Sequence, residues 1–153
     1  MGGLLLLALG FMVSMVDRIF FNDGVNITRP DLESLIAATS YEKQTGHKIE
    51  VVVKNGCGIS KVAILYTDFL RAEGYDVVDY INADHFSYDQ TQIIQFNGEP
   101  ARAQSLAKLM EIDPSKITGM QDPYILHDLT LIIGHDYKEL GSYHPALVHQ
   151  SRY

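Results

Sequence analysis

Two stretches of this chain share one pattern: a run rich in β-branched residues ends on Asn-Gly and passes into a helical segment. They are VVVKNG (residues 51–56) and IIQFNG (residues 93–98). The runs read as strands, because branched side chains fit a pleated surface and crowd a helix. After the first, residues 59–73 form a helix, with Val62, Ile64, Leu65, Phe69 and Leu70 as its apolar positions and Gly74 closing it. After the second, Pro100 suits a first turn, residues 101–110 continue as a helix, and Asp113-Pro114 ends it. Strands are expected at residues 48–54, 75–81, 91–96 and 129–133, and residues 116–120 are a candidate further short strand. The order β-α-β, β-α-(β)-β predicts an α/β (α+β) domain. The expected architecture is a ferredoxin-like βαββαβ plait, one sheet with both helices on one face and right-handed crossovers. A small open parallel sheet is the alternative.

Ahead of this domain, residues 1–16 (MGGLLLLALGFMVSMV) carry no charged side chain. At 1.5 Å per residue such a helix covers about 24 Å, short of a hydrocarbon core of roughly 30 Å. Extension through Ile19, Phe20 and Phe21 reaches that thickness if Asp17 and Arg18 sit at an interface. A cleaved signal peptide needs a basic start and a small-residue cleavage site, and neither is present. A core helix needs a polar stripe, which Leu4 to Leu9 lack. Residues 1–21 are therefore expected to be an uncleaved transmembrane anchor at the cell membrane, spanning once. Arg18 beside Asp17 sets orientation only weakly, and the missing basic flank leaves open a start further upstream.

Residues 22–46 are expected to link anchor and domain through a short amphipathic helix. Thr28 caps it, Pro30, Asp31 and Glu33 favour its first turn, and Gly46 stops it. The domain is expected over residues 47–138, and residues 139–153 read as a polar tail without periodicity.

A net charge of −7 excludes the usual nucleic-acid partner, since Lys and Arg must replace the counterions of phosphates. It equally excludes adhesion to anionic lipid through a basic patch. The single cysteine, Cys57, cannot form an internal disulfide or build a thiolate metal site alone.

The turn Asn55-Gly56-Cys57-Gly58 joins a strand to a helix, where backbone N–H groups can hold an anion. It lacks the Gly-Lys-Ser/Thr ending of a phosphate loop and the third glycine of a dinucleotide fingerprint, so no nucleotide cofactor is expected. The plainer reading is a turn that needs glycine's backbone freedom. Cys57 has no histidine near in sequence to activate it and reads as a structural thiol. The histidines show no helical ligand spacing, so no metal site is expected. The loop at residues 84–88 gathers His85, Phe86 and Tyr88 among acids. Its aromatics suit either a platform for sugar rings or a cover over the core. No pair of acids is placed for glycoside hydrolysis, and no catalytic residue is nominated.

Several segments together resemble the LytR C-terminal domain family. They are IEVVVKNGCG (49–58), DFLRAEGYDVV (68–78), NAD (82–84), TQIIQFNGEP (91–100), ARAQSLAKLM (101–110), QDP (121–123) and LTLIIGHDY (129–137). They follow the family's order over residues 49–137. One departure is the opening of the first helix, where Ile59-Ser60-Lys61-Val62 replaces small residues and a second glycine.

The resemblance implies a bacterial envelope protein whose domain lies outside the cytoplasm. In the family this domain often follows a LytR-CpsA-Psr catalytic domain. None is recognised in this sequence, so transferase activity is not expected to carry over. A non-catalytic accessory domain that binds cell-wall polymer or an envelope protein is the leading expectation, with Asn55, Gly56, Cys57, Gly58, His85 and Tyr88 as its candidate ligand residues. The rival is a small enzyme or regulator whose NGCG turn takes a phosphorylated ligand. A third reading is a scaffold whose sheet edge pairs with a second copy. The oligomeric state is left open.

Overall fold

The computed structural model describes residues 40–96 and 98–150, all within one compact unit, Ile36–Tyr153. The expected anchor over residues 1–21 and most of the linker lie outside the described residues. Among the described residues no helix is long and apolar enough to cross a membrane.

The elements run α1 (Ser40–Thr45), β1 (Glu50–Asn55), α2 (Val62–Ala72), β2 (Asp76–Asn82), β3 (Gln92–Gln95), α3 (Pro100–Met110), a 3-10 turn (Pro114–Lys116), β4 (Ile117–Gly119), β5 (Leu129–Ile133), a second 3-10 turn (His135–Lys138) and α4 (Tyr143–His149). Gly46, at φ +73°, stops α1 as its sequence position implied. The candidate short strand is β4. Helix α2 begins three residues later than expected, because Lys61 takes a left-handed conformation at φ 66° and turns the chain just before Val62.

The five strands lie in the order β2-β1-β5-β3-β4. Strand β1 is parallel to β2 and to β5, β3 is parallel to β4, and β3 and β5 are antiparallel. This corrects the ferredoxin-like plait. A plait separates the two strands of each β-α-β unit by another strand, whereas here β1 and β2 are direct neighbours, as are β3 and β4. The two units are closed side by side, and β5 is inserted between them as the centre of the sheet. Local patterning is the same for both topologies; the long-range pairing of β5 distinguishes them.

The recurring strand–Asn-Gly–helix pattern marks these two units. They point in opposite directions on either side of β5, so right-handed crossovers bring α2 and α3 to the same face. One core follows. Val62, Leu65, Tyr66, Phe69 and Leu70 of α2 and Ala103, Leu106 and Met110 of α3 pack on Val51, Val53, Ile93, Leu129, Leu131 and Ile133 of the sheet. All five residues of β5, at the centre of the sheet, are buried.

The segment expected to be a featureless tail carries α4. Ala146 is fully buried, Leu140 and Tyr143 pack on the core, and the Ser142 hydroxyl donates to Met110 O at 3.2 Å. Pro145 and the short length conceal the helical period in the sequence.

Strand β2 forms one border of the sheet and leaves Val78, Tyr80 and Ile81 exposed. Two of its backbone groups are taken by side chains instead of by a neighbouring strand. Arg71 Nη2 donates to Val77 O, and Tyr80 N–H donates to Asp79 Oδ1, each at 2.8 Å. A register shift opposite Val51 and Val52 distorts the same border. These are means of discouraging strand addition. The Arg71→Ala/Asp79→Ala double variant is therefore expected to sediment as larger species at high concentration than the parent chain; identical sedimentation of the two would dismiss this role.

Candidate functional site

Strands β1, β2 and β5 are parallel, so their carboxyl ends share one end of the sheet. In open α/β sheets ligands bind beyond such ends, where neighbouring strands lead their connections in opposite directions. Here that place lies between β1 and β5. The NGCG turn leaves β1 there, Gly134 and His135 leave β5, and the loop at residues 83–90 lies against both.

The turn is closed by its own side chain. Asn55 Nδ2 donates to Ile59 O at 3.1 Å, and Asn55 Oδ1 accepts from Gly58 N–H at 2.9 Å and from Cys57 Sγ at 3.5 Å. The Gly56 N–H donates to Ile133 O at 2.9 Å. The amides of Gly56 and Gly58 are thus committed within the protein, and helix α2 starts only at Val62. Cys57 is 4% exposed and belongs to the core, as a structural thiol does.

The loop covers the turn. A Cβ on Gly56 would come within 2.8 Å of both Ile132 Cγ2 and Tyr88 Cδ2, and one on Gly58, at φ +72°, within 3.1 Å of Phe86. Both glycines are therefore required, Gly56 for close approach and Gly58 for its backbone conformation as well. The Tyr88 N–H donates to Gly56 O at 3.2 Å. His85 stacks on Tyr88 with ring centroids 4.2 Å apart and planes inclined by 7°. The Tyr88 hydroxyl donates to Asp84 Oδ1 at 2.8 Å. That bond is the main cause holding the Asp84 carboxyl below its usual range and raising the Tyr88 hydroxyl. His85 Nδ1 lies 2.9 Å from Ser87 Oγ.

All six residues singled out from the sequence thus meet in one region. Sequence reasoning missed the clasp that holds the loop. His135 N–H donates to Tyr88 O at 2.8 Å, and His135 Nε2 lies 3.0 Å from Phe86 O, which can only accept and so places the proton on Nε2. Asp136 Oδ1 accepts from both the N–H and the hydroxyl of Thr91, at 2.8 and 2.7 Å. The Thr91 oxygen in turn accepts from Gly134 N–H at 3.0 Å. The available signal was positional: antiparallel neighbours β3 and β5 place the start of one beside the end of the other. What emerges chemically is a rigid aromatic surface, with Phe86 48% exposed beside the His85–Tyr88 stack, and a sequestered thiol.

A second polar cluster lies at the opposite end of the sheet. Arg102 pairs with Asp128 Oδ1 and donates through Nε to the Tyr41 hydroxyl at 3.0 Å. The Tyr41 bond is the leading cause that raises the guanidinium above its usual range. Asp128 Oδ2 accepts from Glu50 N–H at 3.1 Å. Nearby, burial and then the charge of Lys54 lower the His127 imidazole, whose Nε2 lies 2.9 Å from Thr130 Oγ1. Among the described residues no group of three or more His, Cys, Asp or Glu side chains could hold a metal ion.

Residues 48–137 match the family described as LytR cell envelope-related transcriptional attenuator. No curated protein and no solved structure matches the chain.

Proposed function

Because this chain belongs to the LytR cell envelope-related transcriptional attenuator family, with residues 48–137 as the family's domain, we propose that it is a non-catalytic envelope module that binds cell-wall polymer. In this reading residues 1–21 tether it to the cell membrane by a single span, and the domain faces outward. The observation that carries the binding role is the exposed Phe86 beside the His85–Tyr88 stack, fixed on the carboxyl ends of three parallel strands. Aromatic faces of this kind stack on the apolar faces of sugar rings, and a surface fixed in advance loses little entropy when it binds.

The rival, a phosphorylated ligand held by the NGCG turn, would need amides that Gly56 and Gly58 already donate to Ile133 O and Asn55 Oδ1. It would also need the buried Cys57 to reach a substrate. The net charge of −7 opposes an anionic ligand further.

The test is retention of the full chain, in detergent or nanodiscs, on purified cell-wall sacculi. Retention is expected. Phe86→Ala should weaken it roughly fivefold, as loss of one ring contact worth about 1 kcal/mol implies, with an unchanged circular dichroism spectrum. Absence of retention at every salt concentration overturns the proposal.

A further inference from the structure

A groove of about 690 Å³ lies beyond the carboxyl ends of β3 and β4, lined among others by Gln95, Phe96, Gly119, Met120, Gln121 and Asp122. Small-molecule clefts span roughly 300–1,000 Å³. Because β3 runs antiparallel to β5, this groove and the loop over the NGCG turn occupy opposite ends of the sheet. The groove is thus a separate site at the carboxyl ends of a second parallel pair.

Its chemistry is specific. Phe96, 9% exposed, and Met120, 48% exposed, supply apolar surface. A Cβ on Gly119 would meet nothing within 4 Å, so the end of β4 leaves open space. Polar groups surround this surface. Gln95 Nε2 donates to Gly98 O at 3.1 Å, which orients its amide. Asp122 Oδ1 accepts from Tyr124 N–H at 3.0 Å, fixing the carboxylate and the chain that presents Tyr124. Gln121 is exposed, and the Tyr124 ring, one residue past the lining residue Pro123, is 91% exposed.

Among the described residues no Lys or Arg lines the groove and Asp122 is its one charged lining group, so the described lining is mainly polar and uncharged. Amides, one oriented carboxylate and an apolar floor fit a neutral polyol. Hydroxyls donate to the carboxylate and amide oxygens, and an apolar sugar face lies on Phe96 and Met120. An amide beside apolar surface further suits an acetamido substituent, whose N–H and C=O pair with a glutamine while its methyl meets Phe96 and Met120.

We propose that this groove binds a neutral N-acetylated sugar unit of a glycan chain. The identity of that glycan as wall polymer rests on the functional reading above; the groove's preference for the sugar does not. Two sites at opposite ends of the sheet would let one domain hold two places on a polymer, with the gain that linked binding brings.

The test titrates the full chain in nanodiscs, labelled with ¹³C-methyl methionine, with chitohexaose and with cellohexaose as its unacetylated counterpart. The Met120 methyl signal is expected to shift with chitohexaose and not with cellohexaose. Gln121→Ala, at an exposed lining position, should weaken the response about tenfold and lower retention on sacculi. An unmoved Met120 signal, an equal response to cellohexaose, or full affinity in Gln121→Ala overturns the groove assignment. A Met120 shift produced by protein concentration alone also overturns it, since a second copy would then fill the groove. Loss of sacculus retention in the parent chain, with the chitohexaose response intact, would instead remove the wall-polymer reading and leave the groove standing.

Discussion

Replacement of Gly134 by alanine is expected to destabilise the domain by about 3 kcal/mol or more and to lower its thermal midpoint by about 10 °C. Gly134 follows β5 with φ −90°, so its requirement is one of space and not of backbone freedom. A Cβ there would lie 2.7 Å from Thr91 N and 2.8 Å from Gln90 Cα. These are backbone atoms and cannot swing aside as a flexible side chain would. The neighbouring chain would have to shift, breaking the Gly134–Thr91 bond and loosening the Asp136–Thr91 bonds that anchor the loop. Gly119→Ala is the control, because its added methyl meets nothing and should change stability little. Thermal unfolding by circular dichroism measures both. Equal midpoints for the two variants would show that the junction tolerates a side chain.

Asp128→Ala is expected to cost about 2–3 kcal/mol in urea unfolding. The Asp128 and Arg102 side chains are only 14% and 20% exposed, so removal of the acid leaves a poorly solvated guanidinium and an unpaired Glu50 N–H. Losing one partner of a fully buried pair costs about 3–5 kcal/mol, and the residual exposure lowers the figure here. Arg102→Lys should recover little, because an ammonium cannot reproduce the planar fork that meets both Tyr41 and Asp128. A loss below about 0.5 kcal/mol would place the pair with ordinary surface ion pairs.

These two positions illustrate what the sequence disclosed. The strands and helices of both β-α-β units were legible because their apolar residues repeat at the periods of strand and helix. Even the three-residue β4 left a trace, as did the Gly46 stop. Strand order was not legible. The sequence LTLII marks β5 as buried, yet nothing local says that it enters between β1 and β3 instead of closing a plait.

The candidate site followed the same division. Asn55, Gly56, Gly58, His85 and Tyr88 stood out by residue type, but their meeting is set by where β5 sits. Arg102 and Asp128, 26 residues apart, carried no pattern linking them. Helix α4 was obscured by Pro145 and by a length too short to show a period. The groove beyond β3 and β4 was hidden because exposed loop residues obey no periodicity.

The central position of β5 also has a consequence in time. Glu50 and Asp128, which meet beside the β1–β5 pairing, are 78 residues apart in the chain. During synthesis both β-α-β units emerge before the strand that unites them, and each then shows the apolar border that β5 will cover. Loop closure over that distance is expected to make their joining the slow step of folding. A chain broken off before Leu129 holds two complete units and no common sheet, leaving it open to the quality-control proteases that remove unfinished proteins.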